Sequence, residues 1–162
     1  MSVLISVDPG KFLCGLAVFQ DGKLVHAKLV ESSKAMGSGP AVWVAMADAV
    51  KQTVEATELG VSTVVVEVMQ VYKAGLQKGD PGDLIEVAGV SGAVCMAFPW
   101  AKTHMGFKPA QWKGQLPKAV MEKRIKEALS TTEIGRITKC SAALRHNVWD
   151  GIGIGLKALG RI

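Results

Sequence analysis

Two apolar runs, 13–20 and 23–30, are separated by nothing but Asp21-Gly22. That dipeptide accepts the left-handed backbone of a two-residue turn, so the runs are expected to pair as one antiparallel hairpin. The stretch before them, "VLISVDPGKF", reads as another strand over 2–8 that stops at Asp-Pro-Gly. After the polar "SSKAMGSGP", the segment "AVWVAMADAVKQTVEATELG" reads as a helix, with Pro40 in its first turn and Gly60 as its C-terminal cap. "VSTVVVEVM", 61–69, is then a fourth strand, reached by a right-handed crossover. A polar, glycine-rich loop over 70–82 leads into "DLIEVAGVSGAVCMAF", which fits a buried or partner-facing helix. Residues 99–107 are a candidate fifth strand, "KPAQWKGQLPK" a loop, and "KAVMEKRIKEAL" has the 3.6-residue apolar period of a surface helix. The last segment, "RHNVWDGIGIGLKALG", is expected to be helical, its glycines letting it lie close against the sheet.

A chain of 162 residues suits one domain, 1–162, with neither an internal repeat nor a second domain in view. No apolar run approaches the ~18–20 residues of a membrane span, and no basic segment precedes the first apolar stretch as in a signal peptide. A cytoplasmic or similarly reducing setting is expected. Cys14, Cys95 and Cys140 are an odd number without CxxC spacing, which suits core residues better than a disulfide framework or a metal site. The net charge of +5 is uneven: residues 101–146 carry ten Lys or Arg against three Glu, while the remainder is faintly acidic. Such a segment suits a polyanion, nucleic acid before membrane; the other reading is a solvated lysine-rich face.

Three acids stand out. Asp8 either starts a turn at the end of its strand or projects into a crevice where a carboxylate holds a metal ion or ligand. Glu67 interrupts the apolar run "VVVEV", and a charge in a buried strand needs a partner; on an edge strand it would face solvent. Asp150, in "VWDGIGIGL", either faces the sheet from the last helix or is a first-turn acid favoured by the helix dipole. Together, the three acids amid basic surroundings suit Mg²⁺, since hard divalent cations take carboxylate and phosphate oxygens. Two such ions activate water and stabilise the leaving oxygen in phosphodiester hydrolysis.

In these residues the chain resembles RuvC-type Holliday junction resolvases, and in its length their short, phage-like form. "ISVDPGKFLCGLAVF" is similar to their first hairpin, "VVVEVM" to their second acidic strand, "HNVWDGIGIGL" to their final acidic helix and "KPAQWKGQLPK" to the basic loop of the shorter members. The resemblance implies an α/β, RNase H-like fold: a mixed five-stranded sheet, three antiparallel strands followed by two parallel ones, flanked by helices. It implies a homodimeric endonuclease that cuts branched DNA with Mg²⁺, or Mn²⁺ in its place, in the cytoplasm, or the host cytoplasm of a phage. Asp8, Glu67 and Asp150 would be metal ligands, and Lys113 and Lys118 would contact the scissile phosphate. The small residues of "VAGVSGAV", 87–94, would suit close helix packing between subunits.

Further DNA contacts are expected from Tyr72, the nearest equivalent of a branch-point aromatic, with Lys73 and Lys78 in the same loop. Lys108 and Trp112 lie in the basic loop, Lys123 and Arg124 on the next helix, and Arg145 at the start of the last. Trp112 either stacks on a base or anchors its loop in the core. The family commonly places a second acid three residues before the helical Asp, where this chain has Asn147, a neutral ligand. His146 or Asn147 would complete the site; otherwise Asn147 is an N-cap, Asp150 its capping-box partner and His146 a flanking residue. Two rival readings remain. One is a catalytically silent DNA-binding relative; the other is an actin-like ATPase, whose second domain a chain of this length lacks.

Overall fold

A computed structural model of the protein describes residues 1–71 and 80–162. Tyr72, Lys73 and Lys78 lie outside the described residues. Five strands form one mixed sheet in the order β3-β2-β1-β4-β5: β1 Val3–Asp8, β2 Leu13–Gln20, β3 Lys23–Glu31, β4 Thr63–Glu67 and β5 Thr103–Phe107. The first three are antiparallel, while β4 runs parallel to β1 and β5 parallel to β4, as the sequence leads one to expect. Asp21 and Gly22 have φ of 48° and 79°, the paired left-handed conformation that their hairpin demands.

Alternation along β1 assigns its residues to two cores. Val3, Ile5 and Val7 face α1 (Pro40–Glu55) and α2 (Pro81–Ala97), whose Met46, Val50, Val90 and Val94 complete an aliphatic layer. Leu4 faces the other layer, where Phe19 and Val65 meet α3 (Pro109–Trp112), α4 (Lys118–Glu127) and α6 (Arg145–Ala158). With helices on both faces, β1 is buried from Val3 to Val7 and β4 from Val64 to Glu67, and this is why they read as nearly continuous apolar runs.

On the second face, α6 lies directly on the sheet backbone. A methyl group at Gly15 of β2 would overlap the Asn147 carbonyl of α6, and one at Gly151 would come within 2.6 Å of the Gly15 carbonyl oxygen. Ser6, otherwise a buried hydroxyl in β1, donates to the Gly151 carbonyl oxygen at 2.7 Å. The glycines of α6 therefore do what the sequence suggests.

Several local expectations are corrected. Helix α1 ends at Glu55, and the left-handed residue after it is Glu58 (φ 58°), so Gly60 is not the cap. The "KPAQWKGQLPK" loop contains the turn α3. Asn147 lies inside α6, whose N-cap is Leu144, so the capping-box reading of Asn147 and Asp150 does not hold. Of "VAGVSGAV", Val90, Ser91 and Val94 are buried and Gly89 meets the Trp43 ring of α1, leaving Ala88 and Gly92 exposed.

A short helix, α5 (Thr131–Ile134), was not expected from the sequence. Its Glu133 accepts from Arg161 Nη1 at 2.7 Å and from the Leu24 and Ser130 amides, each at 2.9 Å; Arg161 also donates to the Gly22 and Ala128 carbonyl oxygens. The Arg161 guanidinium and these amides hold the Glu133 carboxyl down at about 2. The stability it contributes is present above the ordinary carboxylate range and is lost as pH falls toward 2. Ile137 next to this lock pairs with Ala27 and covers the outer edge of β3.

The overlap at Gly15 predicts that Gly15→Ala costs about 1–3 kcal/mol or more. By contrast, Gly92→Ala, whose new methyl meets nothing within 4 Å, is expected to be neutral or stabilising by up to ~1 kcal/mol. Denaturant melts of the two variants check this; equal stability would show that α6 can lift from the sheet without cost.

Candidate active site

The register that builds the sheet also assembles the acids. Val7 of β1 lies opposite Val66 of β4, so Asp8 and Glu67 end neighbouring parallel strands one residue further on. Both alternate with residues of the α6 layer: Asp8 with Leu4 and Ser6, Glu67 with Val65. Asp8 is also paired across the hairpin with Gly15, where α6 makes its closest approach. The strand-end position, the pleat and the helix contact thus bring Asp8, Glu67 and Asp150 to one end of the sheet.

Among the described residues, the ammonium of Lys113 lies closest to two of them. Lys113 Nζ is 3.4 Å from Asp150 Oδ2 and 3.6 Å from Glu67 Oε2. Glu67 Oε2 also accepts a hydrogen bond of 2.7 Å from Trp112 Nε1. Trp112 is 4% exposed, packed beneath Gly153 and Ile125, so its ring is an anchor and offers no face to a base. Of the two readings of Trp112 its burial favours the anchor, and its hydrogen bond holds the Glu67 carboxylate.

Burial pushes the Asp8 carboxyl well above its ordinary range, helped by the Glu67 and Asp150 charges and opposed by Lys113 and Lys118. Burial also raises Glu67, against the pull of Lys113 and the Trp112 hydrogen bond. Burial alone would lower the Lys113 ammonium, but Glu67, Asp150 and Asp8 outweigh it and raise it. In Cys14, burial pushes the thiol up to about 12, which makes it an inert core residue.

Asn147 and Asp8 line one cleft with Lys11 and Lys34, two cations that the sequence reading passed over. Lys11 directly follows Asp-Pro-Gly, the one local signal for it. The His146 ring nitrogen Nδ1 meets the Ala143 carbonyl oxygen at 3.0 Å. Lys118, exposed at the start of α4, is near enough for its charge to act on Asp8. Lys123 and Arg124 are exposed further along α4, Lys123 pairing with Glu127, and Lys108 is exposed at the N-cap of α3. Arg145 lines a separate cleft with Lys126, Lys139 and Trp149.

Among the described residues, no three His, Cys, Asp or Glu side chains stand close enough to hold one ion in this arrangement. The donor set nevertheless suits a hard divalent cation in chemistry and charge: three carboxylates, two of them disfavoured as bare anions, gathered about one ammonium.

Because the folded protein raises the Asp8 pKa, it binds the proton more tightly than the unfolded chain does, and stability falls as pH rises from the ordinary value of 3.8 through the raised one. In metal-free buffer Asp8→Asn is therefore expected to melt above wild type at pH 7–8, by about 2–4 °C per kcal/mol recovered. The difference should fade as pH approaches 4. A lower melting temperature at neutral pH would mean that the Asp8 anion is held by net attraction.

No protein-family model matches the sequence, and no curated protein matches it. Solved structures do. RuvC of Thermus thermophilus in complex with a Holliday junction substrate superposes at a TM-score of 0.69 with 20% identity, over 99% of this chain and 94% of that one. A second Thermus thermophilus RuvC structure gives 0.61 and 16% over 98% and 97% of the two chains. The yeast mitochondrial Holliday junction resolvase gives 0.54 and 9% over 99% and 80%. The chain has the α/β, RNase H-like fold of these resolvases.

Proposed function

We propose that the protein is a structure-selective endonuclease that binds four-way DNA junctions and hydrolyses phosphodiester bonds with divalent metal ions. The observation that carries this reading is the convergence of Asp8 and Glu67, at the ends of β1 and β4, with Asp150 in the second turn of α6 in a fold of this type. Those carboxylates would hold Mg²⁺, or Mn²⁺, with Asn147 as a neutral fourth ligand beside Asp8. When bound, the metal supplies activation of the attacking water and stabilisation of the leaving oxygen. Lys113 and Lys118 neutralise the scissile phosphate. The exposed cations of α4 and Arg145 follow the DNA backbone, which contributes affinity rather than sequence choice.

The whole chain, 1–162, acts as one nuclease domain of the short, phage-like kind in a cytoplasmic setting. Two copies would cut the two strands of a symmetric junction. An exposed stripe on α2 supports such pairing: Ile85 and Met96 are 66% and 75% exposed, with the small Ala88 and Gly92 between them. Among the described residues no helix is long and apolar enough to cross a membrane. A second reading, a silent junction-binding relative, draws on the wide spacing of the acids about Lys113.

Incubation with four-way, flap and linear duplex DNA, in Mg²⁺ and in EDTA, separates the two. Paired symmetric nicks in the four-way junction alone, lost in EDTA, are expected; binding without nicks in any metal would establish the silent relative. Asp8→Asn and Glu67→Gln are expected to abolish cleavage and keep junction binding. Lys118→Ala should weaken binding and lower the salt slope by about one phosphate contact. Asn147→Asp, which adds a charged oxygen ligand, should reduce the Mg²⁺ needed for cleavage; if both Asn147→Ala and His146→Ala cut like wild type across the metal titration, neither residue belongs to the site.

A further inference from the structure

The Lys113 ammonium lies between two of the acids. It sits 3.4 Å from Asp150 and 3.6 Å from Glu67, and the Asp8 charge also reaches it. Its backbone is firmly held: the amide donates to the Pro109 carbonyl oxygen at 3.0 Å, and the preceding Trp112 is locked by its bond to Glu67 and its burial under α6. The side chain lies with its Nζ 4.8 Å from the centre of the Trp112 ring and is 30% exposed, on a four-carbon stem that can take another rotamer. The next residue, Gly114 at φ 59°, turns the chain toward the exposed Lys118.

We propose that Lys113 is an internal stand-in for the metal ion, so that metal entry and capture of a DNA phosphate are coupled through its displacement. The inference rests on the metal-nuclease reading above. An ammonium and a divalent cation repel each other at a few ångströms, so both cannot sit between Glu67 and Asp150. Among the described residues the Lys113 ammonium offsets only part of the charge of the three acids, so the cluster still attracts a divalent ion. A DNA phosphate arriving beside the carboxylates offers the ammonium another anion, and its withdrawal leaves the oxygens free. In the absence of DNA the protein therefore binds metal weakly. By linkage, metal raises phosphate affinity by the same factor that phosphate raises metal affinity.

The test measures Mn²⁺ binding to the full chain without DNA, by calorimetry and by the loss of free Mn²⁺ resonance, so it needs no turnover. Lys113→Met and Lys113→Gln are expected to bind Mn²⁺ about 5–150-fold more tightly than wild type, the range of ordinary coupling between sites. Their melting temperatures, lower than wild type in EDTA, should rise further on adding Mg²⁺. Asp8→Asn should lose Mn²⁺ binding. If Asp8→Asn loses it and neither Lys113 variant gains, the metal site stands and the displacement is wrong. If Asp8→Asn binds Mn²⁺ as wild type does, the metal lies elsewhere and both readings fall.

Discussion

Where α6 crosses β2, no side chain intervenes. Gly15 and Gly151 bring the two backbones together, and the Ser6 hydroxyl bonds the Gly151 carbonyl across the same contact. Most helices pack on a sheet through a layer of aliphatic side chains. Here the helix is lowered onto the strands, and the residue beside Gly151 is Asp150. Since Gly15 is paired with Asp8, the contact that seats the helix also sets the distance between the helical acid and the strand acids. The packing and the chemistry share one constraint, and neither moves without the other.

Around that contact the electrostatics run against stability. Asp8 and Glu67 are held where burial disfavours their charge, and Lys113 and Lys118 offset only part of that cost. The opposite arrangement occurs at the far end of the hairpin. There Glu133 is met by Arg161 and by main-chain amides, and its charge is favoured. Two buried glutamates in one chain thus behave in opposite ways: one is saturated with donors and locks segments together, while the other is disfavoured as an anion by its burial despite Trp112 and Lys113 at its Oε2.

What the sequence disclosed follows the same division between local and distant causes. The hairpin turn, the strand order and the use of glycines in the last helix are written in short-range patterns, and Asp8 and Glu67 announced themselves as charges where an apolar run should continue. The bond from Trp112 to Glu67 joins residues 45 positions apart and leaves no periodic trace. The Glu133–Arg161 lock is equally non-local, so neither α5 nor the cover over β3 was legible. Gly60 misled because a suitable residue near a helix end is no measure of where the last hydrogen bond falls. Lys11 and Lys34 were overlooked because their place in the Asp8 cleft depends on the turn folding back. The capping reading of Asn147 failed because the helix begins one turn earlier, at Arg145.

The two faces of β1 carry different obligations, and this bears on how such a chain diverges over time. Val3, Ile5 and Val7 face a layer of aliphatic side chains, where exchanges among residues of similar volume are absorbed by neighbours. Ser6 and Asp8, on the opposite face, meet a backbone carbonyl and the acidic cluster, where size and chemistry are both fixed. Along six consecutive residues, evolutionary freedom should therefore alternate with a period of two. Related chains would keep the positions of one face and drift at those of the other, so overall identity falls low while the acids remain recognisable.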